Sequence, residues 1–164
     1  MRARFGDRAP VLIETTLLRR RAADKLGGPG DVSDWLFTDE ALQQATAGPV
    51  ALHRARRLAG YGHAVHDATC SIGTELAALR GAGVRAVGSD LDPVRLAMAR
   101  HNLGAAARVC RADALHPVTR HAAVFVDPAR RQGGRRRFGV DDYRPGLSRV
   151  MDTYRGRDLV VKCA

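Results

Sequence analysis

Two textures of apolar spacing divide the chain near residue 60. Before it, apolar positions recur at three- and four-residue intervals, the period of a helix buried along one side. Leu12 to Leu26 carries such a stripe and runs into Gly27-Gly28-Pro29-Gly30, which stops a helix and opens a linker. Trp35-Leu36-Phe37 then precedes Thr38-Asp39-Glu40. Thr38 suits an N-cap, the two acids suit the electropositive first turn, and Phe37 suits a hydrophobic staple ahead of the cap. The helix begun there carries Ala41, Leu42 and Ala45 on one side. Pro49 opens another at its first turn, and this one runs through His53 to Leu58 and closes at Gly60.

From Ala64 onward short apolar runs alternate with helical patterns. The runs are Ala64–Ala68, Val84–Gly88, Ala107–Cys110, Ala122–Val126 and Leu159–Cys163; the helical patterns are Thr74–Arg80, Pro93–Leu103 and roughly Asp142–Tyr154. Strands spaced by helices of this length predict an α/β fold with a doubly wound parallel sheet over residues 61–164, preceded by a helical segment over 1–60. A sheet of this kind that stops on its fifth strand reads as cut short. Its last run, Leu159 to Ala164, then reads as an open apolar edge through which copies of the chain could self-associate.

In such sheets a ligand sits beyond the carboxyl ends of the strands, where strand order reverses. The first strand ends in His66-Asp67-Ala68-Thr69-Cys70-Ser71-Ile72-Gly73, and Ser71 and Gly73 are small enough for the backbone to approach a ligand closely. The dinucleotide fingerprint G-x-G-x-x-G is missing, which disfavours a bound pyrophosphate and a dinucleotide-dependent oxidoreductase. The second strand ends in Ser89-Asp90-Leu91-Asp92-Pro93. Asp90 at that tip can accept both hydroxyls of a ribose, whereas Asp92 before Pro93 reads as an N-cap. The third strand ends at Asp113-Ala114, where the carboxylate can accept an adenine amine or close a turn. The fourth ends in Asp127-Pro128-Ala129-Arg130-Arg131.

Asp67–Gly73, Asp90, Asp113 and Asp127-Pro128, in this order and spacing, resemble motifs I to IV of class I S-adenosylmethionine-dependent methyltransferases of Rossmann-like fold. Leu42-Gln43-Gln44-Ala45-Thr46, His53-Arg54-Ala55, Thr69–Gly73 and Asp127–Arg131 are similar to the bacterial group called THUMP-like. Trp35–Thr38 and Asp90–Pro93 add a more distant similarity to cap-guanine N2 methyltransferases. The resemblance implies that Asp67 with Thr69, Cys70, Ser71 and Gly73 holds the methionine end of S-adenosyl-L-methionine. It implies that Asp90 and Leu91 hold the ribose, and Asp113 and Ala114 the adenine. Asp127, Pro128, Ala129 and Arg130 take the place of the Asp/Asn-Pro-Pro-aromatic motif that holds a target nitrogen. Ala129-Arg130 departs from that motif by lacking the ring, although a guanidinium can stack on a base.

Charge adds a partner to this picture. The formal net charge is +10, and every basic residue except Lys25 and Lys162 is arginine, so an RNA (tRNA or rRNA) is a natural partner. Arg131, Arg135, Arg136 and Arg137 cluster directly after the fourth strand, where they either clamp phosphates or form a solvated loop. Arg54, Arg56 and Arg57 read as the wet face of a helix. Cys70, Cys110 and Cys163 are too widely spaced for a metal site, the histidines show no metal spacing, and no metal is expected. No apolar run approaches the roughly 18 residues of a membrane span, and nothing at the amino terminus reads as a leader, so a cytoplasmic protein is expected. These readings favour methyl transfer to an RNA base nitrogen. The alternative is a binding module of methyltransferase fold that holds cofactor or RNA without turnover.

Overall fold

The computed structural model describes residues 2–27, 31–129, 131–132, 135–136 and 142–163. A short helix α1 (Arg2–Phe5) leads into α2 (Ala9–Leu26), then α3 (Asp39–Gln44) and α4 (Gly48–Ala59). Helix α2 begins earlier than its apolar stripe because Pro10 suits a first helical turn, and it buries Leu18 and Ala22 while Val11, Leu12, Ile13 and Leu17 stay exposed. Thr38 caps α3 by accepting the Ala41 N–H at 3.1 Å. Phe37 packs in one cluster with Leu42, as the staple requires, and its ring lies 6.1 Å from that of Trp35. Helix α4 starts against the end of α2 so closely that a β-carbon at Gly48 would sit within 2.0 Å of the Leu26 carbonyl oxygen, so glycine is the residue that lets these two helix ends meet.

The remaining elements are β1 (Val65–Asp67), α5 (Thr74–Gly81), β2 (Ala86–Asp90), α6 (Pro93–Leu103), β3 (Val109–Arg111), β4 (Ala123–Val126), β5 (Arg131–Gln132), β6 (Arg135–Arg136), α7 (Leu147–Thr153) and β7 (Leu159–Val161). Five strands form one sheet in the order β3-β2-β1-β4-β7, and every pairing in it is parallel. The chain leaves β1 toward β2 and β3 and then returns to β4 on the other side, so the strand order reverses between β1 and β4. This is the predicted doubly wound α/β architecture.

Two differences from the expected elements have local causes. Helix α7 starts at Leu147 rather than near Asp142, because Pro145-Gly146 precedes it and resists helical continuation. Arg131 and Arg136 pair in a small antiparallel ladder, as do Gln132 and Arg135, where a loop is expected. Arg130 and Arg137 lie outside the described residues. Among the described residues no helix is long and apolar enough to cross a membrane.

Alternation along the strands sends side chains to two layers. Val65, Ala123 and Phe125 meet Leu58 of α4, Leu76 and Leu79 of α5, and Leu96 and Leu103 of α6. Val124 and Val126 face Val150 and Tyr154 from the α7 side. Tyr154 gives its buried hydroxyl to the Ala114 carbonyl at 2.6 Å. His66, at the centre of β1, is bonded to Ser89 at 2.9 Å; burial, aided by the Arg157 guanidinium, pushes its pKa down to about 4 and keeps it neutral.

A third cluster joins the amino-terminal helices to the sheet through Ile72, and Asn102 of α6 reinforces that joint. Its amide accepts the Leu36 N–H at 2.8 Å and donates to the carbonyls of Leu36 and Ile72 at 3.1 and 3.0 Å. Asn102→Ala leaves three largely buried backbone groups without a partner, so it is expected to cost about 3 kcal/mol in urea unfolding. A loss below about 1 kcal/mol would mean that water replaces the amide without difficulty.

Candidate functional site

The crevice at the reversal point is a cleft of about 360 Å³. Its floor is the turn after β1, and its walls are the ends of β4 and β7 on one side and the Ala41–Thr46 stretch on the other. Asp67, Thr69, Cys70, Ser71, Asp90, Asp127, Pro128 and Ala129 all line it, so the structure brings eight of the predicted site residues together. Gly73 closes the turn just behind them.

The turn is held from several directions. Asp67 accepts the Thr69 N–H at 3.2 Å, and Thr69 in turn accepts the Asp127 N–H at 2.8 Å, which ties the ends of β1 and β4 together. Cys70 donates its N–H to the Ser89 carbonyl at 2.9 Å while its thiol is buried in the central core. Asp90 accepts the Ser71 N–H on one oxygen and the Asp92 N–H on the other, both at 2.9 Å. Ser71 sits at φ +48° and Gly73 at φ +91°, so two left-handed residues fall within three positions. Glycine is natural at the second: a β-carbon there would also press on Leu103 at 3.0 Å.

Asp92 caps α6 by accepting the N–H groups of Val94 and Arg95 at 2.8 and 3.2 Å, as its position before Pro93 predicts. Leu91, Asp113 and Ala114 are not among the residues that line the cleft. Leu91 is exposed, Asp113 closes its own turn by accepting the Leu115 N–H at 2.9 Å, and Ala114 is buried beneath Tyr154.

Several residues of the cleft escaped sequence reasoning. Lys162, just past β7, places its ammonium 2.6 Å from Asp127 Oδ2. It stands at the carboxyl end of a strand, and that position was the available signal. Glu75 of α5 is buried and faces Arg54 of α4 at 3.3 Å. Arg54 is therefore not on a wet face: its guanidinium lies 4.7 Å above the Phe125 ring, and its side chain is 14% exposed. Arg56 and Arg57, by contrast, are exposed as expected.

Asp67 is buried, and its Oδ2 has no hydrogen-bond partner among the described residues. Burial first, and the nearby Glu75 carboxylate second, push its pKa well above the ordinary range. Burial also raises Glu75, against the pull of Arg54. A buried, unpartnered carboxylate lining an open cleft calls for a cationic or hydrogen-donating ligand. That fits the group that the motif resemblance implies, whose methionine end carries an ammonium. Among the described residues no group of His, Cys, Asp and Glu could hold a metal ion.

No family model matches the chain. Two curated proteins of Mycobacterium tuberculosis, from strains CDC 1551 / Oshkosh and ATCC 25618 / H37Rv, are 74% identical to it over 170 aligned positions. Each is named an uncharacterized S-adenosylmethionine-dependent methyltransferase. The alignment covers 100% of this chain and 47% of each relative, so the chain spans about half the length of the curated relatives it matches. Among solved structures, a candidate methyltransferase from Porphyromonas gingivalis W83 superposes with a TM-score of 0.58 at 22% identity, over 84% of this chain and 36% of the other. A candidate RNA methyltransferase from Pyrococcus horikoshii gives 0.53 at 21%, over 73% and 63%. The chain has the Rossmann-like fold of these methyltransferases.

The raised Asp67 carboxyl has a consequence for stability. Its folded pKa lies above its ordinary 3.8, so the folded state holds more protons than the unfolded one, and stability falls as pH rises through that window. Asp67→Asn keeps the shape and the acceptor for Thr69 but removes the charge. Without ligand the variant is expected to be more stable than wild type at pH 7, with a flatter decline from pH 4 upward in urea unfolding. A variant that is less stable at pH 7 and equally sloped would contradict the burial of an unpaired carboxylate.

Proposed function

We propose that this chain binds S-adenosyl-L-methionine in the cleft beyond β1 and β4, and that the protein transfers the methyl group to a base nitrogen of RNA. One observation carries the reading. Asp127 stands in the same cleft as Asp67 and Asp90, with its backbone tied to the β1 turn through Thr69 and its carboxylate fixed by Lys162. The name shared by the 74% identical relatives supports the same chemistry.

When bound, the cofactor supplies a methyl group on a positively charged sulfur, an activated donor that leaves the protein mainly to position its partner. Asp67 and the Thr69–Gly73 turn would receive the methionine end. Asp90 uses one lone pair of each oxygen on backbone N–H groups, which leaves further acceptor capacity for the two ribose hydroxyls. Asp127 would accept an N–H of the incoming base and offset the positive charge that develops on that nitrogen. Lys162 holds that carboxylate in place. Pro128 and Ala129 line the approach, and Ala129 exchanges both backbone hydrogen bonds with Arg144, at 3.0 and 2.9 Å.

The net charge of +10 and the arginines that follow Asp127 in the chain support a polyanionic acceptor. Within the class, Leu42–Thr46 and Asp127–Arg131 favour the THUMP-like group, and Gln43 to Thr46 and Asp127 to Ala129 of these stretches line this cleft.

Calorimetry tests this directly. The chain is expected to bind S-adenosyl-L-homocysteine and not NAD, and Asp90→Ala is expected to weaken that binding by about 1.5–3 kcal/mol, the scale of a lost charge-assisted bond. Asp127→Ala should leave the affinity within about twofold while lowering methyl transfer to bulk RNA by about a hundredfold, because Asp127 acts on the acceptor and not on the donor. Tight NAD binding, or an Asp127→Ala variant of full activity, would defeat the assignment.

A further inference from the structure

Arg95, Arg144 and Lys162 bring positive charge to the lining of the cleft, and two of the three are already committed. Arg95 is bridged to Glu40 at 3.2 Å and to Asp92 at 3.6 Å. Lys162 lies 2.6 Å from Asp127. Arg144 is different: it is exposed, and among the described residues its guanidinium has no carboxylate partner. The methyltransferase motifs give it no role, since it lies 17 residues after Asp127 and on no strand tip.

Its backbone is nevertheless held as firmly as a strand tip. Arg144 and Ala129 exchange both main-chain hydrogen bonds, at 3.0 and 2.9 Å, as an antiparallel bridge. In such a pair the α-carbons stand about 5.5 Å apart and the two side chains share one face. Ala129 carries only a methyl, which leaves that face to the guanidinium. Pro145 restricts Arg144 to the extended backbone that the bridge needs. Ala129 is two residues past Asp127, whose N–H is bonded to Thr69 and whose carboxylate is bonded to Lys162. A free guanidinium is thus fixed beside the acidic group that faces the acceptor.

We infer that Arg144 is a phosphate anchor, which grips the phosphodiester flanking the acceptor nucleotide while the base enters toward Asp127. The inference rests on the RNA reading above and deepens it. A guanidinium forks onto two phosphate oxygens at once, so one side chain fixes direction as well as charge. Position selects the acceptor's phosphate over the cofactor's carboxylate. Arg144 is joined to the Asp127–Ala129 wall, whereas the cofactor's amino-acid end is assigned to Asp67 and the Thr69–Gly73 turn. Its exposure also suits a polymer backbone, which stays in solvent while one base is buried. Arg144 thereby favours acceptors that carry a phosphodiester beside the base over free nucleosides.

The test compares wild type, Arg144→Ala and Arg144→Lys as full chains, with S-adenosyl-L-homocysteine by calorimetry and with short single-stranded RNA by fluorescence anisotropy over a salt series. Arg144→Ala should keep its affinity for S-adenosyl-L-homocysteine within about twofold, which also certifies its fold, while binding RNA about tenfold more weakly. Its plot of log affinity against log salt should be shallower by about 0.7, the loss of one single-strand phosphate contact. Arg144→Lys should keep the wild-type slope and recover only part of the affinity, because an ammonium keeps the charge and loses the fork. RNA with uncharged methylphosphonate linkages should bind wild type and Arg144→Ala alike. An Arg144→Ala variant with unchanged RNA affinity and slope overturns the anchor alone, and so does one that loses S-adenosyl-L-homocysteine instead, which would give the guanidinium to the cofactor. Inorganic phosphate that displaces RNA at matched phosphate concentration would make this a free-anion site and likewise overturn it. Wild type that binds S-adenosyl-L-homocysteine but no RNA at low salt overturns the RNA reading and the anchor with it.

Discussion

Everything at the cleft depends on the turn that follows β1. That strand is buried along its whole length between β2 and β4, so the chain must leave it abruptly at the carboxyl edge of the sheet. Within six residues it must reverse into α5 while every backbone group finds a partner. Backbone partners come from elsewhere, from the Ser89 carbonyl, the Asp90 carboxylate and the Asn102 amide, while the Asp127 N–H holds the Thr69 hydroxyl. With those in place the backbone tolerates Ser71 at φ +48°, a conformation that costs a non-glycine residue about 1 kcal/mol. The turn is thereby held by its own hydrogen bonds, which is what positioning chemistry requires.

The same turn explains why the amino-terminal helices belong to the site. Ile72 is packed against Trp35, Phe37 and Leu42, and its carbonyl is bonded to the Asn102 that also holds Leu36. Docking this segment brings the Ala41–Thr46 stretch over the turn and makes a cleft out of an open sheet edge. Helix α4 then adds Arg54 from above the Phe125 ring. The segment thus supplies a wall and a cation.

Electrostatics in the cleft follows a different logic from that of the surface. The surface is crowded with arginine, whereas the cleft gathers the carboxylates Asp67, Glu75, Asp90 and Asp127 beside Arg95, Arg144 and Lys162. Lys162, one of two lysines in the chain, is spent on Asp127.

What the sequence determined by itself were the features written in local spacing. The five strand runs, the cap at Thr38, the cap at Asp92 and the aspartates at strand tips were legible because strand and helix periods and cap chemistry act over a few residues. Asp67, Asp90 and Asp127 could be named because parallel strands end on one edge, so position in a run fixes position in space. The tertiary structure alone decided which side chains meet. Lys162 reaches Asp127 across strands 35 residues apart in the chain, and Arg54 turns inward onto Phe125 from a helix that looks amphipathic with its arginines outside. Asp113, with the same strand-tip credentials as its neighbours, turned to close its own turn. Such outcomes depend on the sheet order, on the docking angle of the amino-terminal helices and on the cost of burying a charge without a partner. None of these is a property of neighbouring residues, and so none can be read from their order.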